Sequence, residues 1–189
     1  MSIKIYIDQG HNPRDFNTGA EGNGLFEQDI TYRIGVLLNE LFSRNTNFET
    51  RLSRTTPDTV LGYNNSTSLT TRVREANLWG ADLFLSLHTN AATSSAATGS
   101  EALVYSYGST VSYGVAKDIL ERMTELTGLR NRGVIERPGL YVLRRTQMPA
   151  VLVEMGFITN PNDAELMWNS PGLFARGIYE GVLEYYDLD

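Results

Sequence analysis

The chain has 189 residues, which is enough for one well-packed domain and short for two. Its formal net charge of −6 argues against a general nucleic-acid binder, because such proteins usually present a basic surface. Cysteine is absent, which excludes disulfide frameworks, thiolate metal sites and cysteine nucleophiles. A zinc ion would therefore have to be bound through nitrogen and oxygen atoms.

The first half of the chain predicts three strands that alternate with two helices. Apolar runs typical of strands occupy Ile3–Asp8, Phe48–Leu52 and Ala81–Leu87. Apolar residues at helical spacing predict one helix that begins near Glu27 and another that ends near Gly80. The polar stretches Asn12–Gly24 and Thr56–Ser68 predict loops.

The second half continues this alternation after a polar loop at Thr89–Gly99. Three further strands are predicted at Glu101–Tyr107, Leu140–Leu143 and Ala150–Val153. One helix ends at Gly128, and two closing helices begin at Asn160-Pro161 and Ser170-Pro171, where a capping residue precedes proline. This order of elements predicts an α/β fold, in which helices cover a sheet.

The two histidines of the chain, His11 and His88, each follow an apolar run that predicts a strand. Ligands of open α/β sheets bind outside the carboxyl ends of the strands, so the two imidazoles could converge on one site. Two imidazoles and a carboxylate form the ligand set of many catalytic zinc ions. A histidine in this position is also often an ordinary hydrogen-bonding loop residue, so the hypothesis depends on the carboxylates.

Glu27 is a candidate for the third ligand, because the loop after His11 is long enough to fold back and bring it near. An acidic residue in the first turn of a helix also complements the helix dipole, which gives Glu27 a structural explanation. Glu21 and Asp15 lie in the same loop and are rival candidates. Spacing alone does not choose among the three.

Glu154 ends the apolar run Ala150-Val-Leu-Val-Glu154. A charge at the end of a buried strand is costly unless it is paired or functional. A glutamate beside a metal site could take a proton from water and later donate it to a leaving amine. The alternative is a structural ion pair with Arg144 or Arg145.

Several motifs follow one another in an order that is more specific than any one of them. They are Asp8-Gln-Gly-His11, Gly19-Ala20, Gly24 to Glu27, Ser86-Leu-His88-Thr-Asn90 and Val153-Glu154-Met-Gly156-Phe157. Further matches lie at Arg54-Thr55, Arg72, Ala76-Asn77, Leu140–Pro149, Asn160-Pro161 and Asp163. In this combination the chain resembles the zinc-dependent N-acetylmuramoyl-L-alanine amidases of the amidase-3 type, from Ile3 to about Gly181.

The resemblance implies that His11, Glu27 and His88 bind one zinc ion and that Glu154 is the catalytic carboxylate. It implies a single three-layer α/β/α domain over residues 1–189, with a mixed, mostly parallel sheet of about six strands. The implied reaction is hydrolysis of the amide between the lactyl group of N-acetylmuramic acid and L-alanine of the peptidoglycan stem peptide. Peptidoglycan is then the expected partner, and nucleic acid is not.

Two positions beside His11 depart from the family pattern. Gln9 stands where the family usually has proline, and Asn12-Pro13 stands where it usually has two glycines. Asp58–Thr70 contains no long inserted helix that would block the site, and no wall-binding repeat is visible. We therefore expect a bare catalytic domain.

Two alternative functions remain open at the level of the sequence. One is a zinc peptidase that cuts within the stem peptide, and the other is a peptidoglycan-binding module without turnover. No apolar run approaches the length of a membrane span, and the N-terminal residues show no export signal. We expect the protein to reach the wall by phage delivery, after cell lysis, or as part of a longer secreted protein. The corresponding roles are those of an endolysin or an autolysin.

Overall fold

A computed structural model describes residues 2–188 and places six strands in one sheet. The strands in chain order are β1 (Ile3–Gln9), β2 (Glu21–Gly22), β3 (Leu25–Phe26), β4 (Phe48–Leu52), β5 (Leu83–Asn90), β6 (Ser100–Val104), β7 (Asn131–Glu136) and β8 (Ala150–Phe157). The helices are α1 (Glu27–Ser43), α2 (Asn65–Trp79), α3 (Thr110–Thr127), α4 (Tyr141–Arg145), α5 (Pro161–Asn169) and α6 (Pro171–Tyr185). Within residues 2–188, the short strands β2 and β3 pair only with each other.

The six-stranded sheet has the order β4-β1-β5-β8-β6-β7. Strands β4, β1, β5 and β8 are parallel to one another, whereas β6 runs antiparallel to β8 and β7 runs parallel to β6. The expected mixed and mostly parallel sheet is therefore confirmed. The carboxyl ends of β1, β5 and β8 meet at one edge, which we call the carboxyl edge, and β6 begins there.

Two separate cores show that helices cover both faces of the sheet. One core joins the strands to α1, α3 and α6, and the other joins them to α2 and α4. Side chains alternate between the two, since Val151 and Val153 belong to the first core and Leu152 to the second. The predicted three-layer arrangement is confirmed. None of the described helices combines the length and apolar composition needed to cross a bilayer.

The prediction of a strand at Leu140–Leu143 is wrong, because this segment leads into the short helix α4. A short apolar run does not distinguish a strand from one turn of a buried helix. Val142 and Leu143 pack in the second core, next to α2. The sheet instead ends in β7, a polar edge strand (Asn131-Arg-Gly-Val-Ile-Glu136) that hydrophobic patterning did not predict.

Helix α2 begins earlier than the predicted loop Thr56–Ser68 allows. Asn64 caps the helix, because its side chain accepts a hydrogen bond from the Thr67 amide while the Thr67 side chain accepts one from the Asn64 amide. This reciprocal cap starts the helix at Asn65, before the first apolar residue of its stripe. The apolar pattern therefore marks the buried face of α2 and misses its first turn.

Candidate metal centre

Three of the side chains singled out in the sequence meet at the carboxyl edge. His11 follows β1, Glu27 is the first residue of α1 and His88 lies near the end of β5. One ligand atom from each lies within 4.8 Å of the other two. The shortest distances are 3.2 Å from His11 Nε2 to Glu27 Oε2 and 3.0 Å from His88 Nδ1 to Glu27 Oε1. The three side chains form a group that could hold a metal ion, which we call the His-Glu-His group.

The two rival acidic residues lie outside this group. Glu21 is exposed in β2, and Asp15 is exposed and lies 3.9 Å from the side chain of Arg14. Glu27 is buried. Of the three candidates, the structure therefore brings only Glu27 to the histidines.

The backbone around His11 is shaped for close approach to β5. A Cβ atom on Gly10 would lie 2.5 Å from the carbonyl oxygen of Leu87 and 2.6 Å from Cε1 of His88, so only glycine fits there. His11 itself has a positive φ of 68°, a conformation that costs a residue other than glycine of the order of 1–3 kcal/mol. The turn is held by Arg72 Nη2, which donates to the carbonyl oxygen of His11 at 2.7 Å.

Glu27 is fixed by backbone donors as well as by the histidines. The amide of Ala20 donates to Oε2 at 2.8 Å, and the amide of Thr89 donates to Oε1 at 2.9 Å. Gly19 allows this contact, because a Cβ atom at that position would lie 2.7 Å from Glu27 Oε2. The carboxylate is thus oriented by the loop before α1 and by the end of β5.

The electrostatics of the group favour a cation. Burial alone would raise the pKa of Glu27, but the hydrogen bonds and charges of His11 and His88 lower that pKa below its usual range. His11 Nδ1 lies 3.1 Å from the carbonyl oxygen of Asn17, which can only accept a hydrogen bond. With the proton on Nδ1, a neutral His11 directs the lone pair of Nε2 at the carboxylate. A proton or a metal ion between these two atoms would relieve the repulsion.

The donor set also fits zinc. Two imidazole nitrogens and one carboxylate are the protein ligands of many catalytic zinc sites. Ligand atoms at about 2.0–2.1 Å from a tetrahedral zinc ion lie about 3.3 Å from one another. Each imidazole nitrogen lies near this distance from a carboxylate oxygen, His11 Nε2 at 3.2 Å from Oε2 and His88 Nδ1 at 3.0 Å from Oε1, so an ion between the two rings would have an oxygen of Glu27 within reach.

Glu154 lies beside the His-Glu-His group on the next strand. It is the register partner of His88 in the β5–β8 pair, and neighbouring strands are about 4.8 Å apart. Its Oε2 atom is buried and has no hydrogen-bond partner within residues 2–188. Burial, and then the negative charges of Glu27 and Glu101, raise the pKa of Glu154 to about 8. This carboxyl group is therefore prepared to hold a proton near neutral pH.

The structural alternative for Glu154 is not observed. In the described part of the chain, neither Arg144 nor Arg145 forms an ion pair with it, and both arginines are exposed on α4. The neighbouring Glu101 does have partners, since it accepts hydrogen bonds from Asn90 at 3.0 Å and from Arg132 at 2.8 Å. Of these two adjacent acids, only Glu101 has its charge balanced.

Sequence reasoning assigned no role to Asp8 and Arg72, although they support the group directly. Both side chains are 1% exposed, and Arg72 Nη1 lies 2.6 Å from Asp8 Oδ1. The hydroxyl of Ser86 donates to Asp8 Oδ2 at 2.8 Å. Asp8 could have been found by the signal that singled out Glu154, because it too is a charged residue at the end of a buried strand.

The sequence pattern of the Amidase_3 family, described as N-acetylmuramoyl-L-alanine amidase, matches residues 5–184. The N-acetylmuramoyl-L-alanine amidase CwlM of Bacillus licheniformis is 39% identical over 190 residues, which cover 98% of this chain and 70% of CwlM. The match therefore extends over nearly the whole chain.

Two solved structures of N-acetylmuramoyl-L-alanine amidases superimpose on nearly the whole chain. The N-acetylmuramoyl-L-alanine amidase from Clostridium difficile 630 superimposes with a TM-score of 0.89 at 30% identity, over 98% of this chain and 97% of that one. The catalytic domain of CwlV, an N-acetylmuramoyl-L-alanine amidase from Bacillus (Paenibacillus) polymyxa var. colistinus, superimposes with a TM-score of 0.86 at 29% identity, over 99% of both chains. The layered α/β architecture is thus shared with these enzymes.

Proposed function

Since the chain belongs to the Amidase_3 family of N-acetylmuramoyl-L-alanine amidases, we propose that it is a zinc enzyme that hydrolyses the bond between N-acetylmuramic acid and L-alanine in peptidoglycan. One observation carries this proposal. His11, Glu27 and His88 come from three separate elements and converge at the carboxyl edge, with ligand atoms within 4.8 Å of one another.

The His-Glu-His group would hold one zinc ion. When bound, zinc supplies a Lewis acid that polarises the scissile carbonyl group and makes a water molecule more acidic. The chain supplies the orientation, since Asn17 fixes the ring of His11 and the amides of Ala20 and Thr89 fix the carboxylate of Glu27. Partners of this kind set the tautomer and direction of metal ligands.

Glu154 would carry the proton that hydrolysis must move. Its unpartnered Oε2 takes a proton from the attacking water, whose oxygen forms a bond to the lactyl carbonyl carbon. When the carbon–nitrogen bond breaks, Oε2 returns this proton to the nitrogen of L-alanine. The products are a free lactyl carboxyl group and a stem peptide with a free amino terminus. The raised pKa of Glu154 suits the return of the proton to the amine, and the positive charge of a bound zinc ion would favour the charged carboxylate that first accepts it.

We further propose that residues 1–189 act as one catalytic domain on the cell wall. The family match over residues 5–184 supports this, and so does the full-length likeness to a catalytic domain. Delivery by a phage, release by lysis and secretion as part of a longer protein are all compatible with the activity.

The ligand assignment is tested by metal analysis of His11→Ala and His88→Ala beside wild type. We expect about one zinc ion per chain in wild type, and loss of both zinc and wall lysis in the two variants, because two remaining ligands hold zinc poorly. Asp15→Ala is the matched control and should keep both properties, since Asp15 is exposed and outside the group. A His11→Ala protein with stoichiometric zinc and full lytic activity would refute the assignment.

A further inference from the structure

A cavity and a groove adjoin each other along the seam between α2 and α4. The cavity has a volume of about 120 Å³, borders His11 and His88, and has apolar walls at Leu69, Leu140 and Leu152. The groove has a volume of about 380 Å³ and lies on the other side of Tyr141, which lines both spaces. The seam therefore extends from the His-Glu-His group along the outer surface of α2.

The groove is positively charged although the chain as a whole is negative. Arg74 of α2 and Arg145 of α4 line it, and both are exposed. Acidic side chains pair with other arginines, namely Arg14, Arg72, Arg122, Arg132 and Arg176. Within residues 2–188 no ion pair involves Arg74 or Arg145. These two charges are therefore available to an anionic ligand.

The acidic residue of α2 does not neutralise the groove. Glu75 accepts a hydrogen bond of 2.7 Å from the hydroxyl group of Tyr6 and lines a different surface depression. The other groups along the groove are neutral, and their polar atoms join the two helices, since Thr70 donates to the Tyr141 hydroxyl at 3.2 Å and Asn77 donates to the carbonyl oxygen of Arg145 at 3.1 Å. Guanidinium groups in such a setting favour carboxylates, which they bind through two parallel hydrogen bonds.

Resting on the proposed function, we infer that the seam binds the peptide part of the substrate and that Arg74 and Arg145 recognise a carboxylate of the stem peptide. The apolar cavity would take the methyl side chain of L-alanine next to the scissile bond. Along the axis of α2, Arg74 lies about 7.5 Å beyond Leu69 and on a different face, while two residues of extended peptide span about 7 Å and the long side chain of Arg74 can bridge the remaining distance. The residue after L-alanine would thus reach the two arginines, and the glycan would extend away from α2.

The test compares two muropeptides that differ only in the second stem residue, which carries either a free carboxylate or the corresponding carboxamide. The zinc-loaded full chain should show a KM about tenfold lower for the free carboxylate, as for a charge-assisted contact. The double variant Arg74→Gln/Arg145→Gln should lose this preference through KM, with kcat unchanged. Arg44→Gln removes an exposed positive charge at the end of α1 and should keep the wild-type preference.

Two results would overturn the inference. One is a double variant that retains the wild-type preference, and the other is a double variant whose KM rises equally for both muropeptides. Wild-type protein that releases no peptide from either substrate would instead contradict the proposed function, and the inference with it.

Discussion

The environment of Glu154 is costly for a folded protein. Its Oε2 atom is buried without a partner, and the carboxyl group faces the charges of Glu27 and Glu101. A buried polar atom left unsatisfied costs about 1–3 kcal/mol. Because a nearby amide or a basic residue would remove this cost, its persistence at the carboxyl edge is best explained by a need to accept and release a proton.

We predict that Glu154→Gln separates activity from metal binding. The amide cannot carry the proton, so turnover of a muropeptide should fall by about 10²–10⁴-fold. Zinc content should match wild type, because the His-Glu-His group is intact.

Glu21→Gln is the matched control for this substitution. Glu21 is an exposed carboxylate in β2, so its loss should leave turnover and stability near wild type. If Glu154→Gln lyses cell walls as well as wild type does, the proposed proton transfer is wrong.

At the level of residues, the sequence predicted the convergence of His11 and His88 because both follow strand-like runs. It could not choose among Glu27, Glu21 and Asp15 by spacing, since a flexible loop of that length can present any of them. The sequence also did not predict that Glu101 and Glu154 are neighbours, because their contact depends on β6 running antiparallel to β8. Such pairings become visible only in the folded sheet.

At the level of elements, Arg72 joins helix α2 to the end of β1. Its guanidinium group contacts Asp8 Oδ1 and the carbonyl oxygen of Gln9, both at 2.6 Å, as well as the carbonyl oxygen of His11. The same group therefore neutralises a buried charge and holds the strained turn that presents a proposed metal ligand. Removal of the Arg72 guanidinium group should therefore lower both the stability of the fold and the affinity for zinc.

We predict that Arg72→Met lowers the free energy of unfolding by about 3–5 kcal/mol, because it leaves the Asp8 carboxylate buried without its partner. Arg176→Met is the control, since Arg176 forms an exposed ion pair with Glu180, and such pairs contribute about 0–1 kcal/mol. Denaturant titration of both variants measures the difference. Equal losses of unfolding free energy in the two variants would show that the buried Asp8–Arg72 pair contributes no more than an exposed ion pair.

The same pair predicts how stability changes with pH. Burial would raise the pKa of Asp8, but the charge and hydrogen bonds of Arg72 lower that pKa below its usual range. The contribution of the pair is therefore present above about pH 4, the unfolded pKa of aspartate, and is lost as the pH falls through the folded pKa. The stability gap between wild type and Asp8→Asn should stay constant from pH 8 to 5 and narrow below pH 4. A gap that persists unchanged at lower pH would contradict this account.

Among the elements, hydrophobic periodicity predicted α1 and the apolar strands β1, β5 and β8, because these bury continuous or regularly spaced apolar residues. It failed for β7, a polar strand at the sheet edge, and for α4, whose short apolar run resembles a strand. Both errors concern elements whose conformation depends on their neighbours more than on their own residues. For such elements, the local pattern of apolar and polar residues does not predict the conformation.

At the level of the whole molecule, the proposed ligands tie three separate parts of the chain together. A metal ion that binds the native state alone stabilises it by about 2.7 kcal/mol at one hundred times its dissociation constant. We therefore predict that a chelator lowers the melting temperature of zinc-loaded wild type by about 5–10 °C. The melting temperature of His11→Ala should not respond to the chelator. Thermal unfolding of wild type that is unchanged after verified removal of zinc would argue against a metal held by these three elements.

The identity of the cleaved bond distinguishes the proposed amidase from a peptidase and from a binding module. Zinc-loaded wild type is incubated with a defined muropeptide, and the products are identified by mass spectrometry. We expect N-acetylmuramic acid with a free lactyl carboxyl group, together with a stem peptide whose L-alanine has a free amino terminus. A new amino terminus inside the stem peptide would show a peptidase instead, and intact muropeptide that pellets with the protein would show a binding module.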